Sequence, residues 1–217
     1  MSASVETINA RFARLQVLKV GILVFPEVEV LDFAGPFEVF SVASRIAGRE
    51  IGVDSPFDIA LIGASGEPLR ARHGLRIHPD ASFDNAPDLD VLIVPGGPVE
   101  QPLGDPATLD WVRRSHGTAA LTASVCTGAF ILAKAGLLGN LAVTTHWDDI
   151  AELRRDYPAL TVLDNVPYVD NGRIVTSAGI SAGIGMSLHL VGRILGVEMA
   201  QKTARRMEYD WQPALVP

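Results

Sequence analysis

Apolar residues along this chain follow two patterns, short unbroken runs and longer stretches with helical spacing. Short runs of this kind predict strands that are buried on both faces of a sheet. They cover Val17 to Phe25, Phe57 to Ile62, Asp90 to Val94, Ala119 to Val125 and Ala142 to Thr144. The helical stretches cover Gly35 to Ala47, Pro106 to Ser115, Thr127 to Ala135, Trp147 to Asp156, Ile184 to Leu195 and the segment from Gly196 to Met207. Because strands and helices alternate, the pattern predicts an α/β fold with one mostly parallel sheet and helices on both faces.

Two further segments carry the signals of β-hairpins. Leu69 to Ile77 alternates between apolar and polar residues, and Val166 to Asp170 is joined to Arg173 to Thr176 by Asn171-Gly172. An Asn-Gly pair between two strand-like runs favours a tight hairpin turn. We therefore expect antiparallel strand pairs at these two places.

The composition is that of an ordered globular domain, since 48% of the 217 residues are hydrophobic and 20% are charged. We predict a single domain over residues 17–217, preceded by an N-terminal extension or dimer arm over residues 1–16. The net charge of -7 argues against a nucleic-acid surface, because phosphate binding requires clustered Lys and Arg. No apolar run approaches the roughly 18 residues of a membrane span, and the N-terminus lacks the apolar segment of a secretion signal. The sequence thus predicts a cytoplasmic protein with no nucleic-acid or membrane partner.

Cys126 is the only cysteine, which excludes an internal disulfide and a multi-cysteine zinc site. It stands between a predicted strand and a predicted helix, in Ser124-Val-Cys-Thr-Gly. A strand that enters a helix through a sharp turn exposes the side chain at the turn, as in the nucleophile elbow of hydrolases. Free N–H groups at a helix start lower the pKa of a thiol, so this position predicts a reactive cysteine. The alternative is an inert thiol in the core.

Four segments follow the carboxyl ends of predicted strands. They contain Asp32, Gly96-Gly97, Cys126, and Ser177 to Ile180. Strand ends of a parallel sheet meet at one rim, where ligands bind, so we expect these segments to form one site. For Asp32 an alternative role is to stabilise the start of a helix through its free N–H groups.

Six motifs occur in an order that resembles the ThiJ/PfpI superfamily, and within it the isocyanide hydratase-like subgroup and the amidase-like domain of AraC-family regulators. The motifs are Gly21-Ile-Leu-Val-Phe-Pro, Leu31-Asp-Phe-Ala-Gly-Pro, Val94-Pro-Gly-Gly, Ser124-Val-Cys-Thr-Gly, Thr144-Thr-His-Trp and Ser177-Ala-Gly-Ile-Ser-Ala-Gly-Ile. The resemblance implies a flavodoxin-like sandwich of the class I glutamine amidotransferase-like kind, with a nucleophile elbow. It also implies a homodimer whose active sites lie near the interface.

The subgroup resemblance further implies an enzyme that adds water to an organic isocyanide to give an N-substituted formamide. Cys126 would form a thioimidate with this small-molecule substrate, Asp32 would be general acid and base, and Thr127 replaces the His that follows the cysteine in protease-like members. Backbone N–H groups of Gly97 and Thr127 are the candidate oxyanion donors. Gly96, Ile180 and His146 would line the substrate pocket. This chemistry requires no cofactor and no metal.

Alternatives remain for the function and for several residues. Oxidation of Cys126 could make the protein a redox or ligand sensor, or the same nucleophile could serve a hydrolase or glyoxalase acting on small carbonyl compounds. His146 is either a structural or pocket-lining residue or the base of a Cys-His dyad. Trp147 and Trp211 are expected in the core or at an interface.

Overall fold

A mostly parallel sheet of seven strands forms the centre of the protein, as the sequence predicts. The computed structural model describes residues 17–50 and 55–212, so the predicted extension over residues 1–16 lies outside the described residues. The strand order is β10-β11-β7-β6-β1-β2-β5, and only the edge pair β10 and β11 is antiparallel. The strands are β1 (Leu18–Leu23), β2 (Phe57–Gly63), β3 (Leu69–Arg70), β4 (Arg76–Ile77), β5 (Ala81–Ser82), β6 (Val91–Val94), β7 (Leu121–Ser124), β8 (Ala142–Val143), β9 (Thr161–Val162), β10 (Tyr168–Asp170) and β11 (Ile174–Ser177).

Both predicted hairpins are confirmed. Tyr168 pairs with Ser177 across the β10–β11 edge of the main sheet. Leu69 pairs with Ile77 in a separate two-stranded sheet of β3 and β4, and β8 and β9 form a third, parallel pair. The sequence predicted β8 but neither β9 nor the pairing of β8 outside the main sheet, because β9 is too short to show a period in the sequence.

The central strands β6 and β7 are buried along their whole length, which accounts for their unbroken apolar or small-residue sequence. The helices that surround the sheet are α1 (Val30–Glu50), α2 (Glu100–Gly104), α3 (Pro106–Thr118), α4 (Gly128–Lys134), α5 (Ile150–Asp156), α6 (Ala182–Leu195) and α7 (Val197–Arg206). Helix α1 packs against α6 and α7, whereas α4 packs against β6 and β7. Within the described residues no helix is long and apolar enough to cross a membrane.

The first helix differs from the prediction, because it begins at Val30 rather than at Gly35. Gly35-Pro36 is a common helix start, but here Pro36 lies inside the helix and only one N–H donor is lost there. The first turn is closed by the Asp32 N–H, which donates to the Glu29 carbonyl over 3.2 Å. Asp32 therefore belongs to the first helical turn and not to a loop.

Candidate active site

Cys126 occupies a strained turn between β7 and α4. Its φ of 56° lies in the left-handed region that a residue with a Cβ rarely adopts. Two contacts hold the turn: the Cys126 N–H donates to the Ala178 carbonyl over 3.2 Å, and the Thr145 hydroxyl donates to the Cys126 carbonyl over 2.8 Å. The turn has the backbone form of a nucleophile elbow, although the Cys126 side chain is only 6% exposed.

The elbow also depends on a close approach between α4 and the end of β6. A Cβ on Gly128 would overlap the Val94 carbonyl oxygen and lie 2.9 Å from the Pro95 oxygen. A Cβ on Gly96 would lie 2.6 Å from the Thr127 nitrogen. Glycine at these positions lets the loop after β6 touch the turn that carries Cys126.

We expect Gly128→Ala to lower the free energy of unfolding by about 2–3 kcal/mol, because backbone atoms must move to admit the methyl group. Gly117→Ala is the matched control, since Gly117 also lies in a helix but a Cβ there meets nothing within 4 Å. The control should change stability by less than about 1 kcal/mol. Urea denaturation measures both variants, and equal stability of the two would contradict the close approach.

Asp32 is fully buried. Its Oδ2 accepts the Gly96 N–H over 2.9 Å, while Oδ1 has no hydrogen-bond partner among the described residues. Burial, together with the negative charge of Glu29, raises the pKa of Asp32 to about 7, although the Gly96 N–H and the Cys126 thiol act in the opposite direction. Asp32 can therefore take up and release a proton near neutral pH.

The pKa of Cys126 is raised to about 12 rather than lowered, so the prediction of a low thiol pKa is wrong. Burial makes the largest contribution, and the nearby charge of Asp32 adds to it. The N–H groups of Thr127 and Ile180 favour the thiolate but do not outweigh these effects. At neutral pH the free protein thus holds the proton on sulfur, and Cys126 becomes a nucleophile only if that proton is transferred during the reaction.

The raised pKa of Asp32 has a consequence for stability. Between about pH 4, where an unfolded Asp ionises, and about pH 7, the folded state binds more protons, so its free energy of unfolding falls as the pH rises. Asn does not titrate. The stability of Asp32→Asn relative to wild type should therefore increase by about 2–3 kcal/mol between pH 5 and pH 8.

Denaturation curves at the two pH values measure this change, with the same substitution at the exposed Asp58 as the control. A stability difference between Asp32→Asn and wild type that stays constant with pH would show that Asp32 is already ionised at pH 5.

Thr127 and Gly97 bind each other. The Thr127 Oγ1 accepts the Gly97 N–H over 2.9 Å and donates to the Gly97 carbonyl over 2.8 Å. The Gly97 N–H is thereby occupied, which contradicts its expected role as a free oxyanion donor. The N–H groups that face the Cys126 sulfur are those of Thr127 and Ile180. The sequence could not identify Ile180 as a donor, because its backbone direction results from a strained turn.

Ile180 has a φ of 50°, which is exceptional for a β-branched residue. Ile180 is 39% exposed at the rim, so packing in the core does not explain why isoleucine occupies this strained position. The preceding residue, Gly179, lies against the His146 ring, and a Cβ there would overlap that ring. The segment after β11 therefore directs the Ile180 N–H towards Cys126. The backbone of the same segment packs against the His146 ring at Gly179.

His146 caps the short 3₁₀ turn Trp147–Asp149. Its Nδ1 lies 3.3 Å from the Asp149 carboxylate and 3.4 Å from the Asp148 N–H. The neighbouring Trp147 is 77% exposed, so its expected place in the core is wrong and an interface role stays a prediction. Trp211 packs against the core, and its indole N–H donates to the Gly185 carbonyl over 3.2 Å.

A cavity of about 380 Å³ opens above Cys126. It is lined by Glu29, Arg72, Gly97, Pro98, Glu100, Cys126, Thr127, His146, Asp148, Asp149 and Ile180. The structure thus joins five of the predicted site residues in one cavity, while Asp32 and Gly96 lie buried behind it.

The charged residues of this cavity were not predicted from the sequence. Glu29 stands one helical turn before Asp32, and Asp149 stands three residues after His146, so local spacing is a signal for both. Arg72 gives no such signal, because a contact distant in sequence, from its N–H to the Val28 carbonyl over 3.0 Å, brings it to the rim. No cluster of three metal-ligating side chains occurs in the described part of the chain.

Known proteins resemble this chain over most of its length. The model of the DJ-1/PfpI family matches residues 18–193. Isonitrile hydratase of Pseudomonas putida is 35% identical over 90% of this chain and 80% of its own length. The crystal structure of a ThiJ/PfpI family protein from Pseudomonas syringae superposes with a TM-score of 0.79 and 28% identity, over 92% of this chain and 78% of that chain. The flavodoxin-like fold implied by the sequence resemblance is thus confirmed.

Transcriptional regulators are also similar to this chain. The HTH-type transcriptional regulator GbdR of Pseudomonas aeruginosa is 29% identical over 88% of this chain. The chain spans only 50% of the length of that regulator. Similar chains thus occur both in an isonitrile hydratase and in regulators, and the assignment of a function depends on the chemistry of the site.

Proposed function

This chain belongs to the DJ-1/PfpI family, and we propose that it is an enzyme that adds water to an organic isonitrile, also called an isocyanide, to give an N-substituted formamide. One observation carries the proposal: the Cys126 thiol lies beside a buried carboxyl group, Asp32, whose pKa is near neutral and whose Oδ1 has no partner in the described part of the chain. Such a carboxyl can receive the thiol proton and return it to the substrate. The 35% identity to isonitrile hydratase supports the choice of substrate.

In the first step the Cys126 sulfur attacks the terminal isonitrile carbon. The thiol proton passes to Asp32 and then to the same carbon, which carries an electron pair after the attack. The product is a thioimidate in which carbon is single-bonded to sulfur and double-bonded to nitrogen. Because proton transfer accompanies the attack, the step needs no free thiolate and is compatible with the raised pKa of Cys126.

In the second step water attacks the thioimidate carbon. Asp32, ionised after the first step, accepts one proton from the water and donates it to the substrate nitrogen as the carbon–nitrogen double bond becomes single. Asp32 then takes the proton of the new hydroxyl group as the carbon–oxygen double bond forms and the carbon–sulfur bond breaks, which releases the formamide. Asp32 returns that proton to the sulfur and so restores the thiol. The N–H groups of Thr127 and Ile180 stabilise the sulfur as it leaves with negative charge. The reaction is redox-neutral and consumes one water, so its balance requires no cofactor.

A steady-state assay with alkyl and aryl isonitriles tests the proposal, with formamide detected by NMR. We expect turnover with isonitriles and none with small carbonyl compounds such as methylglyoxal. Formation of lactate from methylglyoxal, without formamide from any isonitrile, would support the hydrolase or glyoxalase alternative instead. A sensor role is less favoured by the structure, because oxidants select exposed thiols of low pKa, whereas the Cys126 thiol is buried and its pKa is raised.

We further propose that the protein is a homodimer. The exposed indole of Trp147 beside the cavity is a large apolar surface of the kind found at interfaces. Light scattering at micromolar concentration should give twice the mass of one chain. The mass of a single chain would contradict the dimer and leave the Trp147 surface without a role.

A further inference from the structure

The rim of the Cys126 cavity carries an excess of negative charge. Four carboxylates line it, those of Glu29, Glu100, Asp148 and Asp149. The basic side chains there are Arg72 and His146. An anion that enters the cavity would approach these carboxylates and then the ionisable pair of Asp32 and Cys126.

Two of the four carboxylates have a cationic or ionisable neighbour. The Glu29 carboxylate lies 3.8 Å from the Arg72 guanidinium, and the Asp149 carboxylate lies 3.3 Å from the His146 ring. Asp149 still raises the pKa of the Cys126 thiol through its charge, so its field reaches the sulfur.

Glu100 and Asp148 remain uncompensated. Neither forms a salt bridge with another described residue, and both are exposed where solutes enter. They come from different parts of the chain, Glu100 from the start of α2 and Asp148 from the 3₁₀ turn after His146. The negative charge is therefore a property of the rim and not of one local segment.

We propose that Glu100 and Asp148 are specificity-determining residues that make the site select cationic over anionic substrates, with neutral ones in between. This inference rests on the proposed function only for the substrate class. That class is an isonitrile whose other end is neutral or carries an ammonium group. Charges act on an approaching solute within the Debye length of about 8–10 Å at moderate salt, so the effect belongs to the rim and weakens as salt is added.

The first experiment compares kcat/KM for three isonitriles of similar size that carry an ammonium, a hydroxyl or a carboxylate group. At low ionic strength we expect the cationic substrate to exceed the anionic one by about tenfold. The double variant Glu100→Gln/Asp148→Asn should reduce this ratio at least threefold. Glu38→Gln/Glu198→Gln is the matched control, because it changes the net charge equally at exposed sites that do not line the cavity, and it should leave the ratio unchanged.

The second experiment does not depend on isonitrile turnover. Cys126 is the only thiol of the chain, so alkylation reports on the cavity alone. We expect the ratio of iodoacetate to iodoacetamide rates to be about tenfold lower for Cys126 than for 2-mercaptoethanol. The rim double variant and high salt should both raise it.

These two experiments separate the failure of the inference from the failure of the proposed function. If the alkylation ratio of Cys126 equals that of the free thiol, or if both double variants shift it equally, the inference is wrong. If no isonitrile is hydrated but iodoacetate is still excluded through Glu100 and Asp148, the proposed function fails while charge selection at the cavity stands.

Discussion

Cys126→Ala will lower kcat/KM for isonitrile hydration by about 10³-fold or more, since removal of a covalent nucleophile leaves only the binding and polarising groups of a site. Cys126→Ser is expected to be nearly as inactive, because Asp32, with a pKa near 7, is too weak a base to ionise a hydroxyl group. The fold should survive, since the lost sulfur is a small part of a large core.

The left-handed backbone at Cys126 provides a sharper control. Cys126→Gly also removes the sulfur, but glycine accepts a φ of 56° without strain. We expect Cys126→Gly to be more stable than Cys126→Ala by roughly 1 kcal/mol while both are inactive. Turnover retained in Cys126→Ala would exclude covalent catalysis. A loss of stability of more than about 3 kcal/mol in Cys126→Ala would instead support a core role for the thiol.

Asp32→Asn will lower kcat by at least about 10²-fold, because a positioned acid or base contributes about 10² to 10⁴ to a rate and Asn cannot exchange a proton near neutral pH. The rate at which iodoacetamide alkylates Cys126 at pH 8.5 should not fall in this variant. The charge of Asp32 raises the pKa of the thiol, so its removal leaves the thiol more acidic and the alkylation at least as fast as in wild type.

This opposite response separates two roles of Asp32. Near-wild-type kcat in Asp32→Asn would remove Asp32 from the mechanism and make His146 the proton carrier. Loss of alkylation together with turnover would mean that Asp32 mainly maintains the environment of the thiol. Only a low kcat with intact alkylation agrees with proton transfer by Asp32.

The position of the site could be predicted from the sequence, because it follows from the strand–helix alternation. Cys126 stands where a buried run meets a helix, and the rule for parallel sheets brings Asp32, Gly96 and Ile180 to the same rim. These inferences depend on local pattern and on connectivity, both of which are present in the sequence.

The chemistry of the site could not be predicted in the same way. The pKa of Cys126 depends on how deeply the thiol is buried and on its closeness to Asp32, which packing between distant segments determines. The sequence shows that Cys126 stands at a helix start, which stabilises a thiolate. It does not show the burial of the thiol, which outweighs that effect and raises the pKa. Tertiary packing likewise determines the hydrogen bond from the Gly97 N–H to Thr127 and the position of Arg72 at the rim.

The start of α1 also could not be predicted from the local sequence. Gly35-Pro36 is a start signal by local rules, but the turn between Glu29 and Asp32 already begins the helix. The shift matters for function, because it places Asp32 in the first turn of α1, just after Glu29, and so brings the charge of Glu29 near the buried carboxyl.

Covalent hydration by Cys126 can be followed by mass spectrometry of the intact protein during reaction with an alkyl isonitrile, combined with NMR of the product. We expect a transient adduct on Cys126 equal to the full mass of the isonitrile, together with many equivalents of the N-alkyl formamide. Neither adduct nor formamide should form with Cys126→Ala. Formamide formed without an adduct in the wild type and retained in Cys126→Ala, or no formamide from the wild type with any isonitrile, would rule out covalent hydration by Cys126.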